Sequence, residues 1–382
     1  MSNSFDTRLK PNFRNYDRNG RCKKISKPYI LGYFSVNHNR QFIPDQTNLK
    51  YLKLPPSDHP IHFDLNEGYH SYQHKPAHAF EDKLNHILRY ILLNLKKLAA
   101  RTVSPERTDK LLNIDIICFR GKLRMLMCTP YDTRDGWSLL ATKWKGNIYL
   151  CGHSTEEEIL KKQNESEELK KICTYGFKFE QFVMSVSPTS DPVTDTPVLE
   201  GEEFCCMFTT RLESTSILYG AEMDGIESSS VVDLSETDPN DLKFTELKVR
   251  LKVSNHRQIE NFNRFKTRNW WCQSYLAKVE KIVVGVRTQN GIVNTLESMD
   301  VASIPQKFER FWSDTVCMDF LDNFLCMVKH VMKGVDCPHT VYRFDHDPNA
   351  SYSIQCTVLK GPNDCTFIPD WYISEIQKFD KR

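Results

Sequence analysis

The sequence predicts an α+β fold in which two twisted, mixed β-sheets are flanked by helices, with an active cleft between them. Three observations carry this reading. Short runs of period two alternate with long runs at helical spacing along the chain. Turn dipeptides, Lys145-Gly146 and Asn290-Gly291, stand between neighbouring period-two runs. A chain of 382 residues with 40% apolar content is long enough to bury a sizeable core.

The elements follow in order. Residues 1–27 are polar and carry Arg8, Arg14, Arg18, Arg21, Lys23, Lys24 and Lys27, so a flexible basic arm is expected ahead of a single α+β domain over 28–382. A helix is expected at about 82–100, where Leu84, Ile87, Leu88, Ile91, Leu92, Leu95 and Leu98 form an apolar stripe and Lys96 and Lys97 fall on another face. Strands are expected at 114–120, 137–143 and 147–152, then a helix over 166–185. The Pro-, Thr- and acid-rich stretch 185–203 reads as an inserted loop. Further strands are expected at 204–210, 281–287 and 292–297, and helices at 258–278 and 313–333.

Composition removes several function classes. A formal net charge of +2 argues against a broadly basic nucleic-acid scaffold. No apolar run approaches the roughly 20 residues of a membrane-spanning helix, so no membrane partner is expected. Thirteen cysteines without a CxxC pair suggest reduced thiols inside a cell rather than a disulfide framework or a zinc site. His59, His62, His70, His74 and His78 are scattered through turn-like sequence and read as loop histidines. Without heptads, a monomer is the default.

The most chemical pattern lies in two β-like runs. Ile217, Leu218, Tyr219 and Ala221 lead into Glu222-Met223-Asp224, while Phe244, Leu247, Val249 and Leu251 enclose Glu246-Leu247-Lys248. Alternate strand side chains share a face, so Glu222 is expected beside Asp224 and Glu246 beside Lys248, with a long hairpin as the simplest connection. Three carboxylates and an ammonium are an inventory for phosphodiester hydrolysis: hard oxygen ligands for one or two magnesium ions and a cation beside the attacked phosphate. The competing reading is a solvated strand face. Glu180, one turn from Gly176 on the helix over 167–184, adds a further carboxylate, its alternative being a rim salt bridge. Arg120 ends an apolar strand and Gln273 follows Trp270-Trp271-Cys272. Both are polar groups carried toward an inner surface, where an Arg can clamp a phosphate or serve a structural ion pair.

The ordered set Cys118-Phe119-Arg120-Gly121, Thr129-Pro130-Tyr131, Gly136-Trp137, Gly176-Phe177-Lys178-Phe179-Glu180-Gln181, Glu222-Met223-Asp224, Glu246-Leu247-Lys248 and Trp270-Trp271-Cys272-Gln273-Ser274 resembles the DXO family of RNA decapping exonucleases. Lys281-Ile282-Val283-Val284-Gly285-Val286-Arg287, Thr315-Val316-Cys317-Met318-Asp319-Phe320 and Phe367-Ile368-Pro369-Asp370-Trp371-Tyr372 extend the resemblance from about Leu31 to about Tyr372. The E-x-D and E-x-K strands with a helix-borne Glu are also similar to the metal core of D-(D/E)XK nucleases.

The resemblance implies a metal-dependent enzyme acting on RNA 5′ ends. It would remove incomplete or non-standard caps, nicotinamide dinucleotide caps included, and pyrophosphate from triphosphate ends, and would degrade RNA 5′ to 3′. Carried over by position, Glu180, Glu222, Asp224, Glu246 and the carbonyl of Leu247 would hold two magnesium ions, manganese being the alternative. Lys248 and Gln273 would join Glu222, Asp224 and Glu246 in catalysis, holding the attacking water and the scissile phosphate. Arg40, Asp82, Phe119, Arg120, Gly121, Cys205, Glu222, Lys248 and Gln273 would contact substrate. Two positions depart from vertebrate relatives: Gly225 stands in place of Cys and Asp82 in place of Glu. The implied partners are RNA 5′ ends, and for fungal relatives a nuclear 5′-3′ exoribonuclease; the implied compartment is the nucleus, with the cytoplasm as a second. The alternative function is a non-catalytic RNA-end-binding or nuclease-partner protein, and the intact carboxylate set favours the enzyme.

Overall fold

A computed structural model describes residues 3–56, 58–102, 110–349 and 353–380. Its described strands form two sheets. The first has ten strands in the order Asn3–Asp6, Gln355–Leu359, Val341–His346, Trp137–Trp144, Asn147–His153, Ile116–Phe119, Thr215–Glu222, Glu203–Leu212, Tyr29–Val36 and Phe42–Ile43. Ile116–Phe119 runs parallel to both of its neighbours and the remaining pairs are antiparallel, so the sheet is mixed. The second has seven, in the order Phe63–Asp64, Ile292–Asp300, Lys281–Arg287, Lys243–Leu251, Gly225–Glu227, Tyr51–Leu52 and Met184–Ser185.

Both faces of the first sheet are covered, which explains its nearly unbroken apolar strands. Alternate residues divide between two cores. Ile116, Cys118, Leu139, Ala141, Cys206 and Phe208 pack with Phe320, Leu321, Phe324 and Val328 of the helix Asp314–Val331. Ile117, Leu140, Cys205 and Met207 face Ile87, Leu88 and Ile91 of Asn85–Leu93 and Tyr372 and Ile376 of Asp370–Asp380. A third core joins Phe179 and Val183 of the helix Glu167–Val183 to Leu247, Val283 and Val293 of the second sheet. A Cβ at Gly285 would stand 2.8 Å from the Phe179 ring, so the bare backbone there lets the helix that carries Glu180 lie close on the sheet.

Several expectations need correction. The E-x-D motif does not lie within one strand of a long hairpin: Glu222 ends a strand of the first sheet, and Asp224 precedes a strand of the second. Met223 and Asp224 are therefore where the chain crosses between sheets. The hairpin partner of Lys243–Leu251 is the short strand Gly225–Glu227, with Gly225 opposite Thr245. Gly225 suits this crossing, because a Cβ would come within 2.7 Å of the Lys50 carbonyl oxygen. The strand expected to end at Arg120 ends at Phe119, and Arg120 opens the helix Arg120–Cys128. The helix expected over 82–100 is broken at Asn94, whose backbone and side chain both donate to the Tyr90 carbonyl. The helix expected over 258–278 contains a π turn at Phe262–Lys266. The first residues are not a detached arm: Asn3–Asp6 pairs with Gln355–Leu359, and Lys23 reaches Asp322 at 3.3 Å.

Candidate active site

The crossover brings the acidic motifs together. Glu246, only 1% exposed, accepts at one oxygen from Lys248 Nζ at 2.5 Å and from Gln273 Nε2 at 2.7 Å. Arg120 Nη1 stands 3.6 Å from its other oxygen and has no hydrogen-bond partner, although the residue is 8% exposed. Asp224 accepts from the Leu247 N–H at 2.6 Å. In an extended strand the N–H and C=O of one residue point to the same side, so the Leu247 carbonyl also faces the Asp224 side. Glu180, Glu222 and Asp224 line one small pocket of about 20 Å³ with Lys50 and Glu203.

Unbalanced negative charge marks that pocket. Loss of water raises the Glu180 carboxyl well above its ordinary value, reinforced by Asp224 and Glu222. Desolvation pushes Asp224 up to about 7, with Glu246 adding to it. Desolvation, then Glu203, push Glu222 up to about 8, although its side chain faces an open cavity where water screens part of the repulsion. Burial opposes the Lys248 ammonium, yet Glu246 and Asp224 outweigh it and raise its pKa.

Among the described residues, no three His, Cys, Asp or Glu side chains stand in a metal-ligating arrangement. Two of the carboxylates are already bonded: Glu246 accepts from Lys248 and Gln273, and one Asp224 oxygen from the Leu247 amide. The donor set nevertheless fits a hard divalent cation, being oxygen-only and mutually repulsive.

Beside this pocket lies a cavity of about 830 Å³, and Glu222 belongs to both. Its lining includes Arg40, Asp82, Phe119, Arg120, Gly121, Cys205, Glu222 and Gln273, which is every residue expected to contact substrate except Lys248. The topology explains the gathering. Phe119 ends a strand beside the one that carries Glu222, and Cys205 is paired directly opposite Glu222 on the other side.

Arg40 is already engaged, donating to Asp82 at 2.7 Å, to Glu203 at 2.8 Å and to the Gly201 carbonyl at 2.9 Å. Its role in this state is to hold that wall together. Glu203 and Lys75, joined at 2.6 Å, were not expected from sequence. The available signal was period two: Glu203 lies two residues before Cys205 and so shares its face.

Comparison with known proteins bears on this geometry. Residues 26–373 match the model of the RAI1-like PD-(D/E)XK nucleases, a span that contains the whole site. The chain belongs to this nuclease family. The Drosophila melanogaster decapping and exoribonuclease protein Rai1 is 35% identical over 350 residues, covering 91% of each chain. The Xenopus laevis decapping and exoribonuclease protein is 31% identical, over 91% of this chain and 86% of its own. Among RAI1-like structures, Candida albicans Rai1 in complex with pU5 and Mn²⁺ superimposes with a TM-score of 0.77 at 20% identity, covering 99% of each chain. Scheffersomyces stipitis Rai1 in complex with (3′-NADP)⁺ and calcium gives 0.77 at 19% identity, over 95% of this chain and 99% of that one. These confirm the predicted two-sheet nuclease fold.

Proposed function

We propose that this RAI1-like nuclease hydrolyses the 5′ ends of RNA. Its reactions would be removal of incomplete or non-standard caps, nicotinamide caps included, release of pyrophosphate from triphosphate ends, and 5′-3′ degradation. The observation that carries this is Arg120. A nearly buried guanidinium, 3.6 Å from Glu246 and with no hydrogen-bond partner at Nη1, lines a cavity of about 830 Å³. Burying such a donor is costly unless an anion completes it.

Each residue then has a task. Arg120 grips a non-bridging oxygen of the scissile phosphate, and its rigid fork fixes the phosphate's orientation. Gln273 and Lys248, now bonded to Glu246, are placed to orient the attacking water, and Lys248 adds positive charge where negative charge develops. Glu180, Glu222, Asp224, Glu246 and the Leu247 carbonyl would hold divalent ions, two magnesium ions by preference and manganese as the alternative. When bound, such ions supply a hydroxide nucleophile and stabilise the leaving oxygen. Support comes from the Candida structure, in complex with pU5 and Mn²⁺, and the Scheffersomyces structure, in complex with (3′-NADP)⁺ and calcium.

The proposed setting is the nucleus, with the cytoplasm as a second compartment, since Arg8, Arg14, Arg18, Arg21, Lys24 and Lys27 stay exposed. A monomer, with a nuclear 5′-3′ exoribonuclease as optional partner, completes the reading. No described helix is long and apolar enough to cross a membrane. The test is cleavage of short RNAs bearing triphosphate, unmethylated-cap or nicotinamide-cap ends, with Mg²⁺ or Mn²⁺, by wild type and Glu222→Gln. Metal-dependent release by wild type alone is expected; binding of the ends without cleavage would establish the non-catalytic alternative.

A further inference from the structure

The large cavity carries a further cation, Lys122, beside the substrate-facing residues Phe119, Arg120 and Gly121. The helix Arg120–Cys128 starts at Phe119, which provides no side-chain cap, and residues 119–122 line the cavity, so the helix's first amides point toward it unsatisfied by a cap. Arg120, whose Nη1 stands 3.6 Å from Glu246 without a hydrogen-bond partner, serves the scissile phosphate, which leaves the amides behind it and Lys122 to meet a second anion. Lys122 lies on the same wall. No carboxylate among the described residues is paired with it, and its chain lies over Gly152 of the strand Asn147–His153, where a Cβ would stand 2.1 Å from Nζ. Glu158, the carboxylate on that wall, is committed to the Thr155 amide of its own helix cap at 2.9 Å.

We infer that Lys122 is a substrate-positioning residue which, with the first turn of the helix Arg120–Cys128, holds a phosphate other than the scissile one. The inference rests on the reading of the site as a 5′-end hydrolase. It identifies the substrate class further: ends carrying several phosphates, or a phosphate and its downstream phosphodiester, reach both Arg120 and Lys122. Both sources present the same oxyanion chemistry. Gly152 is part of the device, because its missing side chain leaves the lysine room to lie along the strand toward the cavity.

Three variants test this: Lys122→Ala, Lys122→Arg, and Gly152→Ala, which keeps the charge but displaces the lysine. Steady-state kinetics would use RNAs of fixed length with one or three 5′ phosphates, and monophosphate RNAs of two and six nucleotides. One charge-assisted hydrogen bond corresponds to about tenfold in binding. K122A and G152A should therefore raise KM about tenfold while kcat falls far less, and K122R should recover most of the loss. A defect confined to triphosphate ends assigns the phosphate to the leaving group; one that grows with RNA length assigns it to the RNA backbone. Calorimetric titration of the metal-free protein with tripolyphosphate gives a readout independent of turnover, with K122A binding about tenfold more weakly. Equal tripolyphosphate affinity in wild type and K122A, or unchanged KM in both K122A and G152A, would overturn the inference. If wild type cleaves no RNA, the hydrolase reading fails, and the tripolyphosphate titration still decides the role of Lys122.

Discussion

Asp224→Asn isolates the electrostatic cost of the carboxylate pocket. The folded protein moves the Asp224 pKa from its ordinary 3.8 to about 7, through desolvation first and Glu246 second. Between those values the native state holds a proton that the unfolded chain has released, so stability falls as pH rises. The contribution is fully present below pH 3.8 and lost by the time pH passes about 7. Taken alone, the shift corresponds to about 4 kcal/mol at 1.36 kcal/mol per pH unit. Water reaching the half-buried side chain and protons shared with Glu180 and Glu222 reduce the observable difference to about 1–2 kcal/mol. Asparagine keeps an oxygen for the Leu247 N–H and removes the charge. Urea denaturation in EDTA at pH 5.5 and pH 8 should therefore find wild type losing stability with rising pH relative to the variant. At pH 8 the variant should be the more stable, and Mn²⁺ should restore wild type but not the variant. The reasoning is refuted if Asp224→Asn is less stable than wild type in EDTA at pH 8, or if the difference between them does not change with pH.

Metal binding should release protons: with Asp224 and Glu222 pushed up to about 7 and about 8, apparent Mn²⁺ affinity should climb from pH 6 to pH 8, measured by calorimetry in buffers of different ionisation enthalpy. Arg120→Met should lower kcat/KM about 100-fold. Because Arg120 also lowers the pKa of both carboxyls, the alkaline rise in activity should move to higher pH, which a pH–rate profile reads directly. Gly285→Ala should push a Cβ onto Phe179 and cost about 1–3 kcal/mol by denaturant titration, with weaker metal binding because Glu180 is the next residue on that helix. Deleting residues 1–10 removes the edge strand Asn3–Asp6 but none of the site, so cleavage should be unchanged while stability falls by about 1 kcal/mol.

The strands whose side chains pack on both faces were readable because every residue of Thr215–Ala221 or Ile282–Val286 is buried, and period or continuity of apolar residues records that. Chemistry-bearing positions were readable for the opposite reason. Glu222, Asp224, Glu246, Arg120 and Gln273 interrupt apolar runs, and a charge in such company needs a partner. Glu203 and Lys75 escaped notice because each sits in polar sequence, where a charge is unremarked until a distant partner is known. Lys122 escaped for the same reason: on a sequence it is one lysine of a helix, and its proximity to Gly152 is a cross-element fact.

What the sequence determined by itself was the set of groups and the class of fold: alternation, helical stripes and turn residues act over a few neighbours, and these are local. Tertiary structure alone decided where the acidic tripeptide would break between two sheets, that Arg120 would begin a helix rather than end a strand, and that the first residues would close a sheet edge. Each of these depends on which distant backbone offers the next hydrogen bonds. Lys50 receives the Ile226 amide and Leu247 donates to Asp224, contacts separated by many residues along the chain, and only their simultaneous formation brings Glu180, Glu222 and Asp224 into one pocket with Glu246 on the neighbouring strand.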